Sequence, residues 1–314
     1  MNPIAAALEL RANLLVLNCL IVVVAFAFVA SRWRSVRGTT LIGPWVWLLV
    51  ALAAIGMYEI LGGSGNSPSS GEFNYRSLDS RLGSTDLGHP TPIRLLLSTV
   101  TLCPAISLLG AKRPQDKPWH FIVASLWIVL TLPGIQAMVM SRNGELDVHA
   151  ALGWFLIGLI LFGITNSVFS RFWPCILLAG FGATVLLSPF LPGPFRALTA
   201  INSRWGTISY SAAALLAAVR LGRSPRTTKP MDRLWRDFRD AFGLVWTLRV
   251  AERINATAQS HGWNISAGWQ GIRRRDESSA TESTPEQTRA FRQNLGNLLR
   301  RFVNDDWIAE RLDT

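Results

Sequence analysis

Long apolar stretches divided by short polar breaks fill the first two thirds of the chain. Six of them, 13–30, 41–61, 93–110, 119–140, 150–169 and 172–191, run for 18 residues or more. That is about the length a helix needs to cross roughly 30 Å of hydrocarbon. A seventh, 205–221 (WGTISYSAAALLAAVRL), is shorter and more polar and is read as a further crossing. None alternates apolar with polar residues as a barrel strand would, and a helix satisfies its backbone groups within its own segment. The pattern predicts an all-α fold: a polytopic seven-helix transmembrane bundle over 1–221. Trp45, Trp47, Trp119, Trp173 and Trp205 fall near segment ends, where an indole buries its ring and keeps its N–H wet.

After residue 221 the period changes. A basic linker, 222–230, leads into 231–260, where Leu234, Phe238, Phe242, Val245, Trp246 and Val250 recur near helical spacing among Arg233, Arg236, Arg239 and Arg253. Such a face either enters the inner leaflet, its arginines on anionic head groups, or packs on protein. Phe238, Phe242, Trp246, Trp263 and Trp269 are the candidate interface residues of this tail. Trp263, Ile265, Ala267 and Trp269 alternate, as in a short strand or a Trp-anchored turn. Residues 276–287 form a polar hinge, and 287–312 a second amphipathic helix around Phe291, Leu295, Leu298, Leu299, Phe302, Trp307 and Ile308. Its entry is either a capping box of Ser283 with Glu286 or a first turn at Pro285. The 222–314 region is thus a mostly helical tail.

Charge decides the environment and the orientation. The chain is 49% hydrophobic and 16% charged, with mean hydropathy +0.27, where soluble proteins carry about 25% charge. Residues 1–221 hold 15 Lys/Arg and 8 Asp/Glu, residues 222–314 hold 16 and 12. So few charges cannot coat a 221-residue globule, which excludes an ordinary soluble enzyme, a disordered chain and a disulfide scaffold. One set of alternate loops carries Arg32, Arg34, Arg37, Lys112, Arg113, Lys117 and Arg171, then the tail opening with Arg220, Arg223, Arg226 and Lys229. The other set (Arg11, Arg76, Arg81, Arg94, Arg142, Arg196, Arg204) is sparser per residue. The denser set is expected to face the cytoplasm. The N-terminus is then outside, the tail inside, and the location the inner membrane. The first segment could be a cleaved signal, but it is longer than the usual apolar region and Arg32, Arg34 and Arg37 follow at once, so a retained helix is expected. A pI near 10.8 is explained by phospholipid head groups, and no nucleic-acid partner is expected.

Candidate chemistry is sparse. Cys19, Cys103 and Cys175 fall inside spans as apolar fillers. His89, His120, His149 and His261 share no helix, which disfavours a haem or metal site, and no cofactor is expected. No HExxH, GxSxG, Walker A or Rossmann pattern occurs. Polar residues inside spans say more, because lipid penalises each of them. Glu59 is the one acid well inside a span, either a proton or cation relay or a snorkelling side chain. The amides of Asn18, Gln136 and Asn166 are expected to bond between helices. Ser98, Thr99, Thr101, Cys103, Pro104 and Ser107 crowd the third span, and Pro133 and Pro174 sit in two others. Hydroxyls beside prolines serve freed carbonyls and bend a helix. Glu59, Ser98, Thr101, Ser107 and Gln136 are therefore the candidate pathway residues, with structural glue the plainer reading.

The loop 62–92 is either a flexible outer connection or a cap on a binding mouth. The loop 111–118 (AKRPQDKP) either docks on the tail or is a solvated turn. Asn255 and Asn264 begin N-x-S/T patterns that a cytoplasmic tail would leave unused. No repeat points to an inverted-repeat transporter and no heptad to a coiled coil.

The runs 109–123 (LGAKRPQDKPWHFIV) and 232–249 (DRLWRDFRDAFGLVWTLR) resemble stretches of uncharacterised bacterial multi-pass membrane proteins. The resemblance implies a membrane protein and no catalytic residue. Function is expected to be non-enzymatic: a scaffold or sensor whose tail meets a cytoplasmic protein, a second copy or the inner leaflet. The alternative is a small-solute or ion transporter through a kinked, hydroxyl-lined bundle.

Overall fold

The computed structural model describes residues 3–64, 92–140, 146, 148–167, 169–221, 229–274 and 284–312. The bulk of the 62–92 connection, the linker after 221 and most of the 276–287 hinge lie outside the described residues. Six helices are long and apolar enough to cross a membrane, and they coincide with the six longer segments. In chain order the helices of this part are α1 (Pro3–Ser31), the single turn α2 (Trp33–Val36), α3 (Ile42–Ser64), α4 (Pro92–Thr99) and α5 (Cys103–Leu109) as halves of the third segment, α6 (Asp116–Met140), α7 (Ala150–Ser167) and α8 (Trp173–Leu187).

The third segment breaks beside Pro104, where the sequence predicts a bend. A tight 3-10 turn, Val100–Leu102, divides α4 from α5. In such a turn the Thr101 carbonyl would take the N–H three residues on, which Pro104 lacks. The Tyr210 hydroxyl donates to it instead, at 2.9 Å. The hydroxyls of Ser98 and Thr99 bond back to the carbonyls of Arg94 and Leu95 at 2.6 and 2.8 Å, and that of Thr101 to Ser98 at 2.6 Å. They serve their own helix.

The seventh segment also forms a helix, α9 (Ser203–Leu221), less apolar than the six. It runs antiparallel along α8. Gly206 meets Gly182 near one end, the Ser209 hydroxyl donates to the Leu178 carbonyl at 2.8 Å, and Arg220 reaches the Arg171 carbonyl at the other. A Cβ on Gly182 would stand 2.8 Å from the Gly206 carbonyl oxygen. Close backbone approach, rather than hydropathy, holds this helix in place.

The outer surface of the bundle is apolar: Val16, Val23, Phe121, Val139, Trp154 and Leu161 are all exposed. Hydrocarbon accepts such a belt and water does not. Trp173 and Trp205 are exposed at opposite ends, as interfacial indoles should be. Trp45 departs from that expectation: it is buried in the bundle, and its N–H has no partner among the described residues.

The tail folds round a second core, which Ala111 of the bundle loop also enters. α10 (Pro230–Ser260) is two helical halves joined at Gly243, whose φ is +75°; a single helix was expected. β1 (Ile265–Gly268) pairs antiparallel with β2 (Gly271–Arg274). α11 (Pro285–Leu299) starts at Thr284, whose hydroxyl accepts from the Gln287 N–H at 3.3 Å, with Pro285 in the first turn. The cap is thus Thr284, one residue after Ser283, which lies outside the described residues. The helix expected over 287–312 stops at Leu299, and α12 (Asp305–Leu312) begins afresh. Leu234, Trp235, Phe238, Phe242, Ile254, Phe291, Leu295 and Leu299 are fully buried together. Phe238 and Phe242 stack with centroids 4.9 Å apart, and Phe302 meets both and Trp246 edge-on. Each such ring contributes about 1.5–3 kcal/mol by leaving water.

Candidate functional site

Because successive spans run in alternate directions, the turns after α2, α5 and α7 lie at one end of the bundle, and the tail packs on that end. Three sets of contacts make the junction.

In the first, the turn 301–304 lies against two bundle loops. The Thr40 N–H donates to the Phe302 carbonyl at 2.8 Å, the Arg113 N–H to that of Arg301 at 2.8 Å, and the Asn304 N–H to that of Gly38 at 2.9 Å. The Thr40 hydroxyl donates to the Ala111 carbonyl at 2.7 Å, tying the two loops together. These bonds take the backbone groups that a continuous 287–312 helix would have used, which is why that helix breaks. Asn304 Oδ1 then accepts from the Trp307 N–H at 3.1 Å and caps α12. The loop 111–118 docks, as one of its two readings had it.

The second set is one side chain and one glycine. Asn166, at the end of α7, accepts from the Val245 N–H at 3.1 Å, so a bundle residue caps the second half of α10. A Cβ on Gly243 would stand 2.6 Å from the Asn166 amide nitrogen and 2.7 Å from its carbonyl oxygen. Only glycine has both the room and the left-handed backbone. Asn166 thus bonds to the tail rather than to another span.

The third set is electrostatic. Asp237 and Asp240 are 2% and 6% exposed. Arg171, in the loop after α7, places Nη1 3.2 Å from Asp237 Oδ1, and Arg311 of α12 places Nε 2.8 Å from Asp237 Oδ2. Arg239 Nη2 lies 2.7 Å from Asp240 Oδ1 and its guanidinium stands over the Trp269 ring. A carboxylate taken out of water is penalised by several kcal/mol unless cations and hydrogen bonds replace the water. Here two carboxylates find theirs on the bundle loop, α10 and α12 at once.

Comparison with family models, with curated proteins and with solved structures finds no match to this chain.

The candidate residues fall in unequal places. Of the two readings of the α10 aromatic face, packing on protein is the one observed, since Phe238, Phe242 and Trp246 are buried in the tail core. Trp246 also donates its indole N–H to the Leu108 carbonyl at the end of α5, at 3.1 Å. Trp263 is half-buried, stacked on His261 and edge-on to Phe291, and Trp269 is half-buried between Arg239 and Phe169.

Glu59 does not snorkel. It is 7% exposed, accepts from the Thr207 hydroxyl at 2.6 Å and from the Asn18 amide at 3.2 Å, and so joins α1, α3 and α9. Ser98, Thr101 and Ser107 are buried, whereas Gln136 is exposed on α6 instead of bonding between helices. A cavity of about 250 Å³ between the helices includes Thr101 and none of the other four. Leu48, Leu108, Ile160 and Ala213 are typical of its walls. Among the described residues no group of three or more His, Cys, Asp or Glu stands close enough to hold a metal. The Asn255 side chain clamps β1, accepting from the Ala267 N–H at 2.7 Å and donating to its carbonyl at 2.9 Å.

Asp237, Asp240 and Gly243 are not among the candidate residues of the sequence, and Arg171 enters there only as a loop charge. One signal was present: Asp237 lies three residues after Leu234 and four before Ala241, on the apolar side of an amphipathic helix, where an acid needs a partner.

Proposed function

We propose that the chain is a seven-span protein of the inner membrane, N-terminus outside and tail in the cytoplasm, acting without catalysis as a scaffold or sensor. The tail is held at a fixed attitude on the bundle and offers its outer surface to a cytoplasmic protein or a second copy. The observation that carries this reading is the buried bridge from Arg171 through Asp237 to Arg311. A tail that merely trailed from the last span would gain nothing from such a costly contact.

The path of α9 along α8, back to the end where the tail docks, favours an odd number of crossings. That same end carries Arg32, Arg34, Arg37, Lys112, Arg113 and Arg171, which favours its facing the cytoplasm. The test is photo-crosslinking of the full chain in native membranes, from the exposed α11 positions Arg292, Gln293 and Asn297. The expected outcome is one discrete protein adduct from this face. Lipid adducts alone would contradict it.

A second reading, transport of a small solute or ion, draws on Glu59, because a carboxylate so buried is also what a relay uses. Ion or solute flux in proteoliposomes, lost in Glu59→Gln, would favour it.

A further inference from the structure

A cleft of about 470 Å³ opens beside the junction, between the bundle loop 110–115, the second half of α10 and the turn after α11. Its rim carries Lys112 from the first, Arg249 and Arg253 from the second and Arg301 from the third, with Glu252 its one acid. Among the described residues none of these four cations is in an ion pair. Three other arginines of the junction are spent: Arg171 and Arg311 on Asp237, Arg239 on Asp240.

Trp246 contributes to the wall and fixes two of the four, with Lys112 Nζ 5.9 Å and the Arg249 guanidinium 5.3 Å from its ring centroid. Arg249, Arg253, Trp246, Val250 and Ala256 share one helical face of α10, so this charge is gathered rather than spread. Burial, followed by the repulsion of Arg301, Arg253 and Arg249, pushes the Lys112 ammonium below its ordinary value. Four like charges drawn from three separate stretches repel one another unless an anion lies between them. The Trp246 indole bonds to the end of α5, which sets the cleft at the depth where a span leaves the hydrocarbon.

We propose that this cleft binds a phosphate-bearing anion, held by Arg249, Arg253, Arg301 and Lys112. Planar guanidinium groups match phosphate oxygens two at a time, and a cavity of this size takes a phosphorylated head group or a small soluble phosphate. The two sources share the chemistry. The inference goes beyond the scaffold reading and does not need it.

The experiment uses the full chain in neutral detergent and in nanodiscs. One arm titrates inorganic phosphate against chloride at constant ionic strength and follows the thermal midpoint. The other compares phosphatidylcholine nanodiscs with discs containing phosphatidylglycerol, counting retained lipid by native mass spectrometry. Binding of phosphate assigns a soluble ligand; retention of phosphatidylglycerol alone assigns the head group. In either case the R249Q/R253Q variant is expected to bind at least tenfold more weakly. R301Q, on a different element, is expected to weaken binding in the same arm. R300Q, whose charge is paired with Asp305 outside the cleft, is expected to leave it unchanged. The proposal is overturned if neither probe binds, or if R249Q/R253Q and R301Q bind as the parent does. A lost crosslink with phosphate binding intact would sink the scaffold reading and leave the cleft standing.

Discussion

In the bundle Phe121 is 77% exposed while Glu59 is 7% exposed; in the tail Phe238 is at 0% and Arg249, Arg253, Arg292 and Arg301 stand outside. Among the described residues every exposed large apolar side chain except Leu248 lies between Leu14 and Trp205. The two regions therefore answer to different solvents. Where lipid surrounds the helices, apolar surface is free and polar groups must find each other, as Glu59, Thr207 and Asn18 do. Where water surrounds them, apolar surface must be covered, and a single cluster of aromatic rings covers it.

The sharpest way to break this contrast is a pair of identical truncations. Phe238→Ala is expected to destabilise the tail by about 3–5 kcal/mol, read as a shift in the denaturant midpoint of the full chain. Phe121→Ala in nanodiscs is expected to change stability by less than about 0.5 kcal/mol. Equal effects would mean that both rings face the same medium.

Asp237→Ala strips Arg171 and Arg311 of their common partner across the two regions. A loss of about 3 kcal/mol or more is expected in the same denaturation, with Asp237→Asn intermediate. Thr207→Val probes the bundle's own polar pairing by removing the donor 2.6 Å from Glu59. A loss of about 1.5–3 kcal/mol is expected in detergent unfolding, and none if Glu59 is served by water. Gly243→Ala forces a side chain into a positive-φ backbone that only glycine adopts readily, and against Asn166, for about 1–3 kcal/mol before the clash is counted. Hydrogen exchange after Gly243 would quicken while the Phe238 half of α10 stays protected.

The smallest effect is one of pH. The native Lys112 titrates below its ordinary value of 10.5, so between the two values the unfolded chain holds more protons than the native one. Stability is expected to rise with pH across that interval, and Lys112→Met to remove the slope. Because the like charges of Arg301, Arg253 and Arg249 contribute to the shift, a bound anion is expected to flatten the slope too.

Spans were legible wherever hydropathy alone decides, and six apolar helices follow from six long runs. α9 was harder, because its place rests on Gly182 against Gly206, a contact between segments that no window along one segment contains. The tail's breaks were hidden for the same reason. Gly243 looks like an ordinary helical glycine until Asn166 is set beside it, and the 300–304 turn is stabilised by Gly38 and Thr40, more than 250 residues earlier. β2 gave no alternation because Arg273 and Arg274 point outward beside a single half-buried Ile272. The candidate pathway set was read from residue type, yet Ser98 and Thr101 bond back to the carbonyls of Arg94 and Ser98, while the carbonyl that Pro104 leaves free is served by Tyr210 from another helix. The α10 aromatic face was ambiguous between lipid and protein because both reward the same spacing. Asp237 and Asp240, buried on that helix and paired with arginines, are what distinguish protein from lipid there.

Impermeant thiol labelling of intact cells tests the account most directly. In a chain freed of Cys19, Cys103 and Cys175, single cysteines would replace Asn202, at the start of α9, and Gln293, on the tail. The expected result is that position 202 reacts from outside, whereas position 293 reacts only after the membrane is opened. If both positions react alike, before or after permeabilisation, α9 does not separate them across a bilayer and the seven-span arrangement is contradicted.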